Sequence, residues 1–140
     1  MGADWDVVAE GHPGRTSVFD DPVDGVHKSG LRVIASLLES HRPLDLVIVM
    51  LGTNDTKARF AFSAIDIAHG ILRLADTILR STAGPENGAP RVLLAAPVPI
   101  VETGCLAQMF AGGAARSQEL AAELATVARA LGTGFIDLAP

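Results

Sequence analysis

Residues 52–56 (Gly-Thr-Asn-Asp-Thr) place four hydrogen-bonding side chains in a row, directly after an unbroken apolar run from Leu46 to Leu51. The length of the run and its β-branched residues favour a strand buried on both faces of a parallel sheet. Gly52 permits a sharp exit from that strand, and open α/β sheets bind ligands at the carboxyl ends of their strands. The loop is therefore a candidate ligand site. An ordinary turn is the alternative, because Gly, Asn and Asp are common turn residues.

Two further loops are predicted to reach the same edge of the sheet. Residues 11–17 (Gly-His-Pro-Gly-Arg-Thr-Ser) follow a short predicted strand, Trp5–Glu10, and the Pro97–Pro99 turn follows another, Arg91–Ala96. The carboxyl ends of parallel strands meet at one edge of a sheet. We therefore expect the three loops to converge and to form one site.

Strands and helices are predicted to alternate along the chain. Four apolar runs predict strands, at Trp5–Glu10, Leu46–Leu51, Arg91–Ala96 and Phe135–Leu138. Three stretches with apolar residues at helical spacing lie between them, from about Val26 to Ser40, from Ser63 to about Gly84 and from about Gly113 to Leu131. Ser63 and Asp66 form a variant capping box for the second helix, and Gly132 suits the end of the third. This order specifies an α/β fold with a parallel sheet and right-handed crossovers.

Composition narrows the class of protein. The 140 residues are one domain's worth of chain, and with 49% hydrophobic and 19% charged residues disorder is excluded. The net charge of −5 argues against nucleic acid or an anionic membrane surface as the main partner, and no apolar run is long enough to span a membrane. The lone Cys105 cannot form an internal disulfide, which predicts a reducing compartment, the cytoplasm. No His, Cys or Asp spacing suggests a metal site, and we predict no cofactor.

The two glycine-containing loops carry a resemblance to a known family. Residues 51–55, Leu-Gly-Thr-Asn-Asp, resemble the third conserved block of the SGNH (GDSL-type) hydrolases, whose core is Gly-x-Asn-Asp. Residues 10–17 are similar to the second block of that family. With Asp-Asp-Pro at 20–22 and Phe-Ala-Gly-Gly at 110–113, the chain most resembles the bacterial arylesterase and acyltransferase branch. The similarity covers essentially the whole chain and is most specific from Pro43 to Lys57.

The resemblance implies a flavodoxin-like three-layer α/β/α sandwich and acyl transfer to water or an alcohol through a serine ester. It also implies that the Asn54 amide and the backbone N–H of Gly14 donate hydrogen bonds to the substrate's oxyanion. Electrostatics supports these two roles, because preorganised neutral donors stabilise the charged oxygen of a tetrahedral intermediate. Four further residues are expected to support these loops: Arg15, Thr16, Gly52 and Asp55. A surface or capping role is the alternative for Arg15 and Asp55.

The departures from the family pattern concern the nucleophile and its base. The first block, Gly-Asp-Ser-Leu, carries the nucleophilic serine and does not occur in these residues. The fifth block, Asp-x-x-His, would follow the strand at Phe135–Leu138, where the sequence ends. Asp24-Gly-Val-His27 matches that pattern, but it follows the second block, so a turn leading into a helix is the better interpretation. We therefore expect residues 1–140 to be a partial SGNH hydrolase domain that lacks the first strand and the last helix and is inactive by itself.

Two functions of different classes remain open. The first is an esterase or acyltransferase acting on small esters, of which this chain keeps the oxyanion-binding loops. The related branch is often oligomeric, so a homo-oligomer is an open alternative to a monomer. The second is a non-catalytic flavodoxin-like module that binds a small ligand or a protein at the same edge of the sheet.

Overall fold

A computed structural model describes residues 5–140, in which three parallel strands alternate with three α-helices. The strands are β1 (Leu46–Val49), β2 (Arg91–Ala96) and β3 (Gly134–Asp137). The helices are α1 (Gly30–His41), α2 (Ala64–Leu79) and α3 (Gly113–Leu131). These residues also contain four short 3₁₀ turns, one before α1 and three between later elements: Val26–Lys28, Asn54–Thr56, Pro85–Asn87 and Gly104–Leu106. The predicted α/β fold with a parallel sheet is confirmed.

The sheet has the order β1-β2-β3, and both pairs of neighbouring strands are parallel. Leu46 of β1 lies opposite Arg91 of β2, and Leu93 of β2 lies opposite Gly134 of β3. The central strand is the most buried, and its Leu94 has no exposed surface. Because the strands run in one direction, the loops that leave β1 and β2 lie at the same edge of the sheet.

Helices α2 and α3 supply most of the core. The apolar stripes of both helices pack together and against β2, and their largest fully buried members are Ile67, Ile71, Ile78, Leu120 and Leu124. The predicted capping box begins α2, since the Ser63 hydroxyl accepts from the Asp66 N–H at 3.2 Å and the Asp66 carboxylate accepts from the Ser63 N–H at 3.0 Å. Gly132, with a φ of +67°, ends α3 as predicted. Among the described residues no helix has both the length and the apolar character to cross a membrane.

The strand predicted at Trp5–Glu10 is wrong. This segment is exposed along its whole length, and within residues 5–140 none of its backbone groups pairs with another strand. A strand needs a neighbour to satisfy its backbone hydrogen bonds, so a short apolar stretch alone does not produce one here. The strand predicted at Leu46–Leu51 also ends two residues earlier, at Val49.

The first helix begins later than its apolar spacing predicts. The 3₁₀ turn Val26–Lys28 is separated from α1 by Ser29, whose backbone is extended (φ −65°, ψ 120°). Backbone hydrogen bonds explain the break: the Thr16 N–H donates to Lys28 O and the Gly30 N–H donates to Thr16 O, each at 3.0 Å. This short parallel bridge holds Ser29 out of the helix and ties residues 11–17 to the start of α1.

Candidate functional site

Asn54 lies beyond the carboxyl end of β1, on a tight turn that begins at Gly52. Gly52 has a φ of +119°, and a Cβ placed there would lie 2.5 Å from the Leu120 side chain, so a glycine is required. The chain then enters the 3₁₀ turn Asn54–Thr56. The buried Thr56 hydroxyl donates to Thr53 O at 2.7 Å and fixes this turn. Asn54 is thus presented, half-buried, at the edge predicted to bind a ligand.

Gly14 lies on the second predicted loop, which the start of α1 holds in place. Its φ of +80° is in the left-handed region that favours glycine. Arg15 donates from Nη1 to His27 O at 3.2 Å, and the buried Thr16 donates from Oγ1 to Phe19 O at 2.5 Å. Both predicted supporting residues therefore make contacts that shape the loop rather than contacts with a site.

Asp55 joins the two loops. Its buried carboxylate accepts from the Ser17 N–H at 2.9 and 3.1 Å and from the Ser17 hydroxyl at 2.5 Å. Burial raises the pKa of the Asp55 carboxyl above its ordinary value, and the hydrogen bonds from Ser17 oppose that rise. Because Asp55 follows Asn54 and Ser17 lies three residues after Gly14, this contact ties together the two loops that carry the predicted donors. The partner role of Ser17 was not predicted, since 38 residues separate it from Asp55.

The two predicted donors have no competing partners in the described part of the chain. Within residues 5–140, neither the Asn54 side-chain amide nor the Gly14 N–H makes a hydrogen bond, and both residues are half-buried rather than enclosed. Polar groups in such positions normally pair with protein or water. Within the described part of the chain, both groups therefore remain available as neutral hydrogen-bond donors. The Pro97–Pro99 turn leaves β2 at the same edge and is anchored by the Ile100 N–H, which donates to the Ser117 hydroxyl at 3.0 Å.

A charged cluster behind the Asn54 turn was missed from the sequence. Lys57, only 3% exposed, pairs from Nζ with Asp21 at 3.2 Å and with Asp24 at 3.0 Å. Arg59 pairs with the same two carboxylates at 3.1 and 3.4 Å. The interpretation of Asp24–His27 as a turn agrees with this geometry, because the Asp24 carboxylate is paired with the Lys57 and Arg59 side chains. The sequence shows only that two acidic and two basic residues are present, at Asp21, Asp24, Lys57 and Arg59. Sequence spacing does not show which of them form ion pairs.

The Asp21 carboxyl predicts a specific dependence of stability on pH. Burial raises its pKa, but the backbone N–H groups of Asp24 and Val23 and the Lys57 ammonium outweigh burial and lower the pKa from 3.8 to about 2. A lowered pKa stabilises the fold above pH 3.8, and this stabilisation is lost as the pH falls toward 2. We expect the difference in unfolding free energy between the wild type and Asp21→Asn to shrink by roughly 2 kcal/mol between about pH 5 and about pH 2. Urea unfolding of both proteins measures it, and a constant difference would contradict this account.

Comparisons with known proteins identify a matching family and similar solved structures. A sequence profile of the GDSL-like lipase/acylhydrolase family matches residues 1–140. The inhibitor-bound aryl esterase of M. smegmatis is 38% identical, with a TM-score of 0.90 over 97% of this chain and 65% of the other. A carbohydrate acetylesterase from Sinorhizobium meliloti is 37% identical, with a TM-score of 0.82 over 89% of this chain and 59% of the other. No curated protein matches the chain. The chain thus spans about two thirds of the length of these structures or less.

Proposed function

The chain belongs to the GDSL-like lipase/acylhydrolase family, and from this premise we propose that it carries the oxyanion-binding part of an esterase or acyltransferase for small esters. In this proposal the Asn54 amide and the Gly14 N–H donate to the carbonyl oxygen of the ester as negative charge develops on it. Neutral donors fixed before the reaction stabilise that charge without reorganising at the moment of reaction.

One observation carries the proposal most strongly. The two loops that match the family's blocks are joined by hydrogen bonds between Asp55 and Ser17. The Asn54 amide and the Gly14 N–H nearby in sequence have no hydrogen-bond partners in residues 5–140. A loop that served only as a turn would be expected to use its polar groups internally, as Thr56 does with Thr53 O. Rigid support behind unpartnered donors is the arrangement that an oxyanion site requires.

The remaining groups are proposed to come from sequence outside these 140 residues, since neither Gly-Asp-Ser-Leu nor a suitably placed Asp-x-x-His occurs here. A serine hydroxyl would attack the ester carbonyl carbon, and a histidine would take the proton of that hydroxyl. The tetrahedral intermediate would then expel the alcohol, which takes the proton from histidine. Water or a second alcohol would finally receive the acyl group from the serine. Within this scheme the role of the present chain is to bind the oxyanion.

The longer protein encoded around these residues tests the proposal. We expect its reading frame to encode Gly-Asp-Ser before residue 1 and Asp-x-x-His after residue 140, and we expect the protein to hydrolyse phenyl acetate. Because the matched structures are described as an aryl esterase and a carbohydrate acetylesterase, acetylated sugars are the second substrates to test. Replacing the serine of the first block by alanine should abolish turnover. A longer protein that binds ligands but has neither block and no turnover would instead support the non-catalytic binding module.

A further inference from the structure

Lys28 is attached to the Gly14 loop from two sides. Its ammonium donates to Pro13 O at 2.8 Å, and its backbone carbonyl accepts from the Thr16 N–H at 3.0 Å. The Nζ atom also lies 3.3 Å from His12 Nδ1. The aliphatic part of the side chain packs along the backbone of Gly14, because a Cβ placed on that glycine would lie 3.4 Å from Lys28 Cε. Lys28 therefore contacts the chain immediately before, at and after Gly14.

The contact with Pro13 O bears directly on the Gly14 N–H. The Pro13 carbonyl and the Gly14 N–H belong to one peptide group, which is planar and trans; the one cis bond in the described residues is Arg42–Pro43. In a planar trans peptide the C=O and the N–H point in opposite directions. A group that fixes the direction of the Pro13 carbonyl thus also fixes the direction of the Gly14 N–H. Two other contacts act on the same segment: the Arg15 N–H donates to His12 O at 3.0 Å, which closes a turn around Pro13 and Gly14, and His12 Nδ1 lies 2.9 Å from Pro13 O. Lys28 adds an ammonium donor to that arrangement.

We propose that Lys28 is a positioning residue for the oxyanion donor at Gly14, an inference that rests on the proposed function. It holds the Pro13–Gly14 peptide group with the N–H directed away from Lys28, and no group in residues 5–140 accepts from that N–H. The ammonium also draws electron density toward Pro13 O, and such polarisation strengthens the donor at the other end of the same peptide group. A hydrogen bond from a charged donor is about twice as strong as a neutral one, so lysine suits this position better than a neutral side chain.

The test compares three substitutions in the longer protein. Lys28→Met keeps the aliphatic contact with Gly14 and removes the charged donor, whereas Lys28→Arg keeps a charged donor. Arg129→Met, on the exposed last turn of α3, is the matched control for loss of one positive charge. We expect Lys28→Met to lower kcat by about tenfold or more with KM changed by less than about twofold, because misplacing a donor affects mainly the transition state. Lys28→Arg should recover most of the loss, and Arg129→Met should leave kcat unchanged.

A second measurement does not depend on turnover. The amide proton of Gly14, observed by NMR, should change its chemical shift and exchange faster with solvent in Lys28→Met, and should resemble the wild type in Lys28→Arg. An unchanged Gly14 amide in Lys28→Met would overturn the inference even if the longer protein proved inactive, in which case the proposed function would have failed separately. A kcat for Lys28→Met within about twofold of the wild type would also overturn it. If Lys28→Met does not fold, Lys28→Arg decides: a wild-type Gly14 amide and kcat support the inference, and a protein that lacks either contradicts it.

Discussion

Expressed by itself, the 140-residue chain should hydrolyse an aryl ester no faster than buffer does. The seven serines of the chain all lie outside a Gly-Asp-Ser-Leu block. The two that are buried and hydrogen-bonded near the candidate site are already committed, since Ser17 donates to Asp55 and Ser117 donates to Ala114 O. A serine nucleophile and its histidine act as a unit, and removing either costs on the order of 10⁶ in kcat in a serine protease. Without a nucleophile no tetrahedral intermediate forms, so the proposed oxyanion donors have no charge to stabilise.

A comparison of three proteins measures this prediction. The chain alone and the longer protein with its first-block serine replaced by alanine should share the same background rate with phenyl acetate. The longer wild-type protein should exceed both by about 10⁴-fold or more. Circular dichroism on each sample separates loss of chemistry from loss of fold. Turnover by the chain alone that disappears on Ser17→Ala, or on replacement of another of its serines, would show that a nucleophile had been missed.

The parts of the fold that depend on neighbouring residues were predictable from the sequence. The capping box at Ser63 and Asp66 and the left-handed Gly132 at the end of α3 are local devices, and both lie where their sequence patterns indicate. The run at Arg91–Ala96 forms the central strand at the predicted bounds. For the two helix ends, a few adjacent residues contain all the information that the element needs.

The failures concern elements whose state is decided at a distance. Trp5–Glu10 has the composition of a strand but no partner within residues 5–140, and a strand is not formed by its own residues alone. Ser29 has a helical neighbourhood in sequence, yet the bridge to Thr16 holds it extended. Helical spacing cannot reveal a hydrogen bond to a segment more than ten residues away.

The same distinction applies to the candidate site. Sequence motifs identified Gly14 and Asn54, and their roles stay a prediction. The contacts that hold the loops in place were invisible, because Asp55 meets Ser17 across 38 residues and Lys57 meets Asp21 across 36. Lys28 escaped notice for a related reason, since a lone lysine before a helix carries no motif. The residues that hold the two donor loops in place were therefore identified only from the structure.

Asn54→Ala in the longer protein should lower kcat by ~10²–10³, which is the usual loss for one oxyanion donor. The reason is that the amide gains its hydrogen bond as charge develops on the carbonyl oxygen, so its loss affects the transition state far more than substrate binding. The fold should not suffer, because the Asn54 amide has no partner in residues 5–140 that truncation would leave unpaired. The turn itself is held by Asp55 and Thr56, which the substitution leaves in place.

Asn54→Asp is the matched variant, since it keeps the shape of the side chain and replaces the donor by a carboxylate. A negative charge beside a developing oxyanion repels it, so Asn54→Asp should be at least as slow as Asn54→Ala although it is nearly the same size as the wild type. Equal thermal unfolding of the three proteins would exclude a general loss of structure. A variant that retained activity with aspartate would show that Asn54 contributes shape rather than a donated hydrogen bond.

The kcat and KM of Asn54→Ala and Asn54→Asp with phenyl acetate therefore test the central claim most directly. The predicted result is a fall in kcat of ~10²–10³ for both variants, with KM within about twofold of the wild type and unchanged unfolding temperatures. A kcat for Asn54→Ala within about threefold of the wild type would contradict the claim, and would remove Asn54 from the oxyanion site.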